Sequence, residues 1–424
     1  MKQTPFSCLM TVLAMSLSSA MLTPVAMAAG STIHAEVISA LPAEAVVRQT
    51  LAELPPLRSA AMNIDLAKSG KSRLEASNYE WNVKLANNRR TDQLGGRFAE
   101  QEFALEKQVR WFGKYEKDVA IGDKGVVLSE AMYADQWHEA GRTLLKDWFD
   151  TLREMAGRRS LERQQQLASG LSDIAKKRVK AGEAAQLDAL LADTEYQRVT
   201  ALLQQAQLRE EQLRQMLRVT YPKLPEPDLQ RLGVPQPASH SVEEWIDKIM
   251  DDNHELELAE TEAALFALQA RRAASDKMPD PTIGIRAGRE RDGQEKIVGI
   301  SISIPLPGGG RQAESSSAYL RQKMAEERLG QVRMKVRLAA QRAVTDNIRT
   351  YQIWSTTQQI QQQSNRQAST MMSAYQLGEA TLTDALNTRR MALEAELSAE
   401  SAQIDSLAAQ ARLQLDAHLM WALD

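Results

Sequence analysis

Proline is missing from residue 57 to residue 221 and again from residue 308 to the end of the 424-residue chain, while Pro222, Pro225, Pro227, Pro235 and Pro237 crowd one stretch between. Proline removes a backbone donor and clashes with the preceding helical turn, so its absence leaves two long tracts in which helices can run unbroken. Leu, Ala, Gln, Glu, Lys and Arg dominate both tracts, and these are strong helix formers. Their apolar residues recur at mixed three and four spacing, as in Val199, Leu202, Leu203, Ala206, Leu213, Met216 and Leu217, which predicts coiled-coil packing. Residues 114–180 predict one helix, or two stacked helices, of roughly 100 Å at about 1.5 Å per residue, and residues 311–375 predict a match for it. No compact domain needs helices of that length. Gly122, Gly125, Gly141, Gly157 and Gly170 fall in the first tract and only Gly330 in the second, so the first is expected to be the less regular.

Two short regions, about 79–112 and about 281–307, read with period two instead. Trp81, Val83 and Leu85 alternate with Asn82, Lys84 and Ala86, and Phe103 and Leu105 with Ala104 and Glu106. Ile283 and Ile285 alternate with Gly284 and Arg286, and Ile300, Ile302 and Ile304 with Ser301 and Ser303. Each region predicts a β-hairpin with one apolar and one polar face. A hairpin against a soluble core would alternate as well, and Lys107 on the apolar side of the first favours that alternative. Four amphipathic strands with free edges invite aggregation, and four cannot close a barrel, so closure requires subunits to share one. Two chains would supply eight strands with a side-chain-filled interior, and three would supply twelve with an open lumen. Val83, Leu85, Ile283, Ile285, Ile300, Ile302 and Ile304 would then face lipid, and Lys84, Glu106, Arg110, Ser301 and Ser303 water. Trp81, Trp111 and Phe112 sit at strand ends, where an aromatic girdle belongs.

The N-terminus carries Lys2, a nearly uncharged apolar run from Phe6 to Leu22, and Ala26-Met27-Ala28, so residues 1–28 read as a secretory signal. A lipoprotein signal acylated at Cys8 is the alternative, and Thr4-Pro5-Phe6-Ser7 matches it poorly. Cys8 is the only cysteine, which excludes an internal disulfide and a thiolate metal site. Past Ala28 no uncharged apolar stretch of 18 residues occurs, so any membrane crossing by the mature chain must use strands. With 52 Lys and Arg against 55 Asp and Glu, no basic excess points to nucleic acid. His34, His138, His240, His254 and His418 never approach one another at helical spacing, and no metalloprotease, hydrolase-elbow or P-loop spacing occurs. Gly308-Gly309-Gly310 lacks the Lys-Ser/Thr of a phosphate loop and simply lets a strand turn into a helix, while Met371-Met372 reads as packing. The residues thus predict no enzyme, no cofactor and no metal centre.

The two halves align. Residues 178–190 match residues 374–386 at an offset of 196, with Gly-Glu-Ala and Asp-Ala-Leu recurring at the same places, and the hairpins recur at nearly that offset. The predicted organisation is a first repeat over 29–218 with its tip near Gly182, a Pro-rich linker over 219–240, and a second repeat over 241–424 with its tip near Gly378. Gly182 and Gly378 suit a positive φ between two helices. Asp188 and Asp384 near the following helix starts are equally readable as ordinary dipole-favoured acids.

The signal, the duplicated helix-hairpin-helix order and the twin Gly-x5-Asp turns at Gly182/Asp188 and Gly378/Asp384 together resemble the TolC family of outer-membrane efflux channels. The passage Ile302-Ser303-Ile304-Pro305-Leu306-Pro307-Gly308-Gly309-Gly310-Arg311 looks most like its CzcC-like heavy-metal branch. The resemblance implies a mainly α fold with membrane β: a homotrimer with a twelve-stranded barrel in outer-membrane lipid, continuous with a long periplasmic α-helical barrel. It implies a periplasmic adaptor gripping the tips at Gly182 and Gly378, an inner-membrane pump of the RND type, and an aperture narrowed by Asp188 and Asp384. The second acid of the family pattern falls on Asn387 and its Arg on Ala380, leaving Tyr375 to Asp188 as the expected hydrogen bond of a closed mouth. The rival reading is a soluble periplasmic coiled-coil adaptor or scaffold, which explains the helices but not two hairpins each feeding a long helix.

Overall fold

The computed structural model describes residues 38–91 and 93–423; the signal read over residues 1–28, with Cys8, lies outside the described residues. Two helices dominate, α3 at Lys114–Lys180 with 67 residues and α7 at Gly309–Leu377 with 69, each about 100 Å long. α4 (Gln186–Thr220) folds back on α3, and α8 (Leu382–Asp416) folds back on α7 and also packs on α3. At the other end α2 (Pro55–Ala76) lies on α3, and α6 (His254–Ser275) on α7 and α3. Short helices α1 (Glu44–Ala52) and α5 (Val242–Asp251) complete the set. Pro55 and Pro56 occupy the first turn of α2, where a missing N–H costs nothing. The order α2, β1, β2, α3, α4 recurs as α6, β3, β4, α7, α8.

The main apolar core lies midway along α3. Trp137, Leu144, Leu145, Trp148, Phe149 and Leu152 meet Val47 and Leu51 of α1, Leu217 and Tyr221 at the end of α4, and Ile404, Leu407 and Leu415 of α8. Trp148 donates its indole N–H to the Ala40 carbonyl at 2.9 Å, so the chain entering α1 is pinned here. The Pro-rich segment that follows α4 contributes Leu224, Leu229 and Leu232 to the same core.

The expectation that glycines make the first tract less regular is corrected: α3 is one unbroken helix. One of those glycines lets a neighbour come close, and another has room to spare. A Cβ at Gly122 would stand 3.0 Å from the Lys71 Cα on α2, and one at Gly141 would stand 3.5 Å from a Leu415 methyl. At Gly122 the absence of a side chain sets how near α2 can lie.

β1 (Trp81–Thr91), β2 (Arg97–Gln108), β3 (Thr282–Glu290) and β4 (Glu295–Ser303) form a single antiparallel sheet in that order. The register aligns Val83, Leu105, Ile285 and Ile300 in one row across it, and Leu85, Phe103, Ala287 and Val298 in the next. One face is therefore apolar across these two rows and gives way to Asn87, Gln101, Arg289 and Lys296 in the row after them, while Lys84, Glu106, Arg286 and Ser301 belong to the other. Lys107 does sit on the apolar face, opposite Trp81, and its ammonium lies over the indole at 5.2 Å. That cation–π contact gives the charge a partner which alternation could not reveal.

All four crossings between helix and strand meet at one buried ammonium. The Lys114 side chain is 1% exposed, and its Nζ lies 2.8 Å from both Asp276 Oδ1 and Asp280 Oδ1 and 2.7 Å from the Met278 carbonyl. Asp280 also accepts from the Tyr79 hydroxyl at 2.5 Å and the Trp111 N–H at 2.8 Å. Burial alone would raise the Asp280 pKa, but these hydrogen bonds from Lys114, Tyr79 and Trp111 hold it below the usual carboxylate value. Arg272 joins Asp118 and Asp276, Arg110 reaches Asp118 and the last carbonyls of α2, and Arg311 donates to the Asp276 carbonyl at 2.9 Å.

The close approach of α2 predicts opposite outcomes for two equal substitutions. Gly141→Ala, which makes only ordinary contacts, should stabilise by up to about 1 kcal/mol through helix propensity. Gly122→Ala must push α2 away, and should instead cost about 1–3 kcal/mol. Chemical denaturation of the two variants beside the parent checks it, and equal midpoints would contradict the packing argument.

Candidate functional site

The two hairpin turns at the far end of the long helices are built alike where the sequence is alike. Gly182 and Gly378 have φ of +78° and +80°. The Glu183 N–H bonds the Arg178 carbonyl and the Gly182 N–H the Val179 carbonyl, and Glu379 to Ala374 with Gly378 to Tyr375 repeats the pair. This is the Schellman arrangement, which satisfies the last carbonyls of a helix and requires a left-handed residue. Both glycines are exposed at the tip.

The helix starts that follow differ. Asp188 and Asp384 are each the third residue of their helix. Asp384 forms a reciprocal cap: its N–H donates to Thr381 Oγ1 at 3.1 Å, and the Thr381 hydroxyl donates to its carboxylate at 2.6 Å. The equivalent cap position before Asp188 is Ala185, which offers no side-chain acceptor. Asp384 is therefore held in place by its own helix start, whereas the Asp188 side chain has no such tether.

Beneath the turns the two hairpins share a core of Leu171 and Ala175 on α3, Ala192 on α4, Tyr375 on α7, and Leu382 and Leu386 on α8. Tyr375 is 3% exposed, and its hydroxyl is buried without a hydrogen-bond partner. Within one chain the Tyr375 hydroxyl does not meet Asp188, because the ring is drawn inward by apolar packing; the expected hydrogen bond, across the hairpins of one or of adjacent chains, is left to the contact between chains. Arg178 makes the link between hairpins instead. Its guanidinium lies over the Tyr375 ring at 5.0 Å and donates to the Tyr375 carbonyl at 3.3 Å. The repeat alignment pairs Arg178 with Ala374, so a search for an arginine just after the second glycine passes it by.

Three further ties cross between the hairpins. Arg390 of α8 pairs with Glu195 of α4 at 2.6 Å, Arg163 of α3 pairs with Glu396 of α8, and Arg389 of α8 donates to Gln164 at 3.1 Å. Burial would raise the Glu195 pKa, but hydrogen bonds from Arg198 and Arg390 hold it below the usual value.

At the opposite end the apolar sheet face is uncovered in the single chain. Val298 is 84% and Ile300 80% exposed, and Val83, Leu85, Ile283, Ile285 and Ile302 are exposed with them. Ile304 is exposed too, one residue beyond the end of β4. No described helix is long and apolar enough to cross a membrane.

The turn geometry predicts that Gly378→Ala costs about 1–2 kcal/mol for a left-handed alanine. Tyr375→Phe, which removes a hydroxyl with no partner, should leave the stability of the chain unchanged or slightly raised. Thermal unfolding of both variants checks the pair, and a clear loss for Tyr375→Phe would show that the hydroxyl is engaged.

No protein-family model and no curated protein matches the chain. Solved structures do. The CmeC outer membrane channel of Campylobacter jejuni superposes with a TM-score of 0.73 at 14% identity, covering 90% of this chain and 86% of that one. The outer membrane protein VceC of Vibrio cholerae gives 0.70 at 16%, covering 88% and 95%. A membrane protein of Pseudomonas aeruginosa gives 0.74 at 15%, covering 92% and 97%. At such identities the likeness establishes the fold, which this chain shares over nearly its whole described length with these three proteins.

Proposed function

We propose that this chain is one subunit of a homotrimeric outer-membrane channel of the TolC type, built from a duplicated helix-hairpin-helix unit. It would serve as the passive outer conduit of a tripartite efflux system. The observation that carries the reading is the sheet: one face bears an apolar band of Val, Leu, Ile and Phe, broken by Lys107 and bounded by the row Asn87, Gln101, Arg289 and Lys296, and the other bears Lys84, Glu106, Arg286 and Ser301. A water-soluble protein does not leave such a face bare, whereas a barrel strand in hydrocarbon requires it. Three copies would supply twelve strands, with edges β1 and β4 closing onto neighbouring copies and the helical hairpins continuing into the periplasm. Val83, Leu85, Ile283, Ile285, Ile300, Ile302 and Ile304 are assigned to lipid. The exposed turns at Gly182 and Gly378 are assigned to a periplasmic adaptor that connects an inner-membrane pump of the RND type. The CzcC-like resemblance of residues 302–311 makes heavy-metal cations the first cargo to test. A soluble scaffold is the rival, and the bare apolar face counts against it.

Asp188, Asp384 and Tyr375 are assigned to the periplasmic mouth. Six carboxylates from three subunits would form a cation-attracting ring. Arg178, holding Tyr375 across the two hairpins, would keep the mouth narrow.

Purified protein in planar bilayers should conduct ions without nucleotide. Asp384→Ala should lower cation preference in the reversal potential, and Arg178→Ala should raise resting conductance. A monodisperse soluble monomer that never inserts would overturn the channel reading, and unchanged selectivity and conductance in both variants would overturn the mouth assignment. A membrane-impermeant thiol reagent should reduce conductance from Ser301→Cys and Ser303→Cys but not from Ile300→Cys or Ile302→Cys, and the reverse pattern would show that the sheet faces are assigned the wrong way round.

A further inference from the structure

Three histidines meet where no sequence spacing brings them together. His138 is on α3, His254 opens α6 and His418 follows α8 by two residues. Their ring centres lie 5.1 Å apart for His138 and His418, 4.5 Å for His254 and His418, and 6.1 Å for His138 and His254. His138 Nε2 faces the Leu415 carbonyl at 3.2 Å. Nδ1 of His254 and both ring nitrogens of His418 are buried without a hydrogen-bond partner. Among the described residues no three His, Cys, Asp or Glu groups are placed to hold a metal ion, and a chemistry open to the cluster is protonation of a ring.

The segment that carries His418 is docked under strain. His418 and Trp421 have φ of +54° and +55°, left-handed values that cost a side-chain-bearing residue free energy. The compensation is burial: Trp421 is 2% exposed, belongs to the main core, and accepts a hydrogen bond on its carbonyl from the Trp137 indole at 2.9 Å. Met420 and Leu423 pack against the same core, so the segment is held by burial against its backbone strain.

Among the described residues no carboxylate lies within ion-pair distance of His418, and the one beside His138, Asp416 at 3.7 Å from Nε2, is shared with two arginines. On α3, Arg142 adds positive charge and is paired with Asp416 at 2.9 Å. On α8, that same Asp416 is also taken by Arg412 at 2.8 Å. On α5, Lys248 holds Asp252 at 2.7 Å. On α6, Glu257 lies 3.6 Å from His254, not from His418. A cavity of about 700 Å³ lined in part by Asp251, Asp252, Glu260 and His418 opens beside the cluster and gives protons a route in.

We propose that His418, packed against His138 and His254, is a proton-operated latch that keeps segment 418–423 docked while its ring is neutral and releases the segment when that ring is charged. Burial first, then the Arg142 guanidinium, pushes His138 down to about 3, and burial, then His254, pushes His418 down to about 4. Both lie below the ordinary value of about 6.5, so the undocked form binds more protons than the docked one. Docking is at full strength above about pH 6.5 and weakens as pH falls from there towards 4, roughly tenfold per pH unit for each ring that must charge.

The test places an environment-sensitive fluorophore on Ala422→Cys, with the leader that carries Cys8 replaced, and follows emission from pH 7.5 to 4.5. The parent should move to a solvent-exposed spectrum below about pH 6 while far-UV helicity stays constant. His418→Asn, neutral throughout and tolerant of left-handed backbone, should remain docked at a pH at least one unit lower, and His418→Lys should be released already at pH 7.5. Flat emission in the parent, the same curve for His418→Asn, or helicity falling together with emission would each overturn the latch.

Discussion

The architecture turns on a single buried cation. Lys114 stands at the first turn of α3, where a helix dipole disfavours positive charge, and it is almost fully removed from water. It is tolerated because two carboxylates and a carbonyl surround it, and those groups come from the segment that joins α6 to β3. Removing both carboxylates would leave a buried charge stranded, at a cost of about 3–5 kcal/mol. A hydrophobic cluster of the same volume would bring the segments together in many ways. The directional bonds of Lys114, Tyr79, Trp111 and Arg311 select one, fixing where each strand leaves its helix.

Much of this was legible in the sequence for identifiable reasons. The absence of proline marks α3, α4, α7 and α8, because one proline would have broken them. Alternation marks the strands, because the side-chain period of two cannot be mimicked by a helix over the run from Val298 to Ile304. The paired glycines mark the tips, because only a left-handed residue closes both turns. What escaped depends on contacts between residues far apart in the chain. Gly122 counts as a helix breaker until Lys71 is seen against it. Lys107 counts as a charge on the wrong face until Trp81 is opposite. Arg178 reaches Tyr375 and His418 reaches His138 across nearly two hundred residues or more, beyond any local spacing rule. Within one chain the Tyr375 hydroxyl does not find Asp188, because the ring gains more by burial among Leu171, Leu382 and Leu386 than by turning towards a carboxylate.

The likeness of the halves also has limits. Thr381 clamps Asp384 to its helix start, while Ala185 leaves Asp188 free to move. Arg178 in the first half is answered by Ala374 in the second. The halves share the geometry that makes a turn and diverge in the groups that fasten it, so each tip presents its own surface to whatever approaches it.

The pairing at the centre of the sheet, β2 with β3, matches Leu105 with Ile285. Bringing those residues together means closing a loop that contains α3, α4, α5 and α6, and such long-range closure is slow compared with forming a helix or a hairpin. Until the second half of the chain has been made, β2 has no partner along its second edge, so the β2–β3 register can only be set late in synthesis.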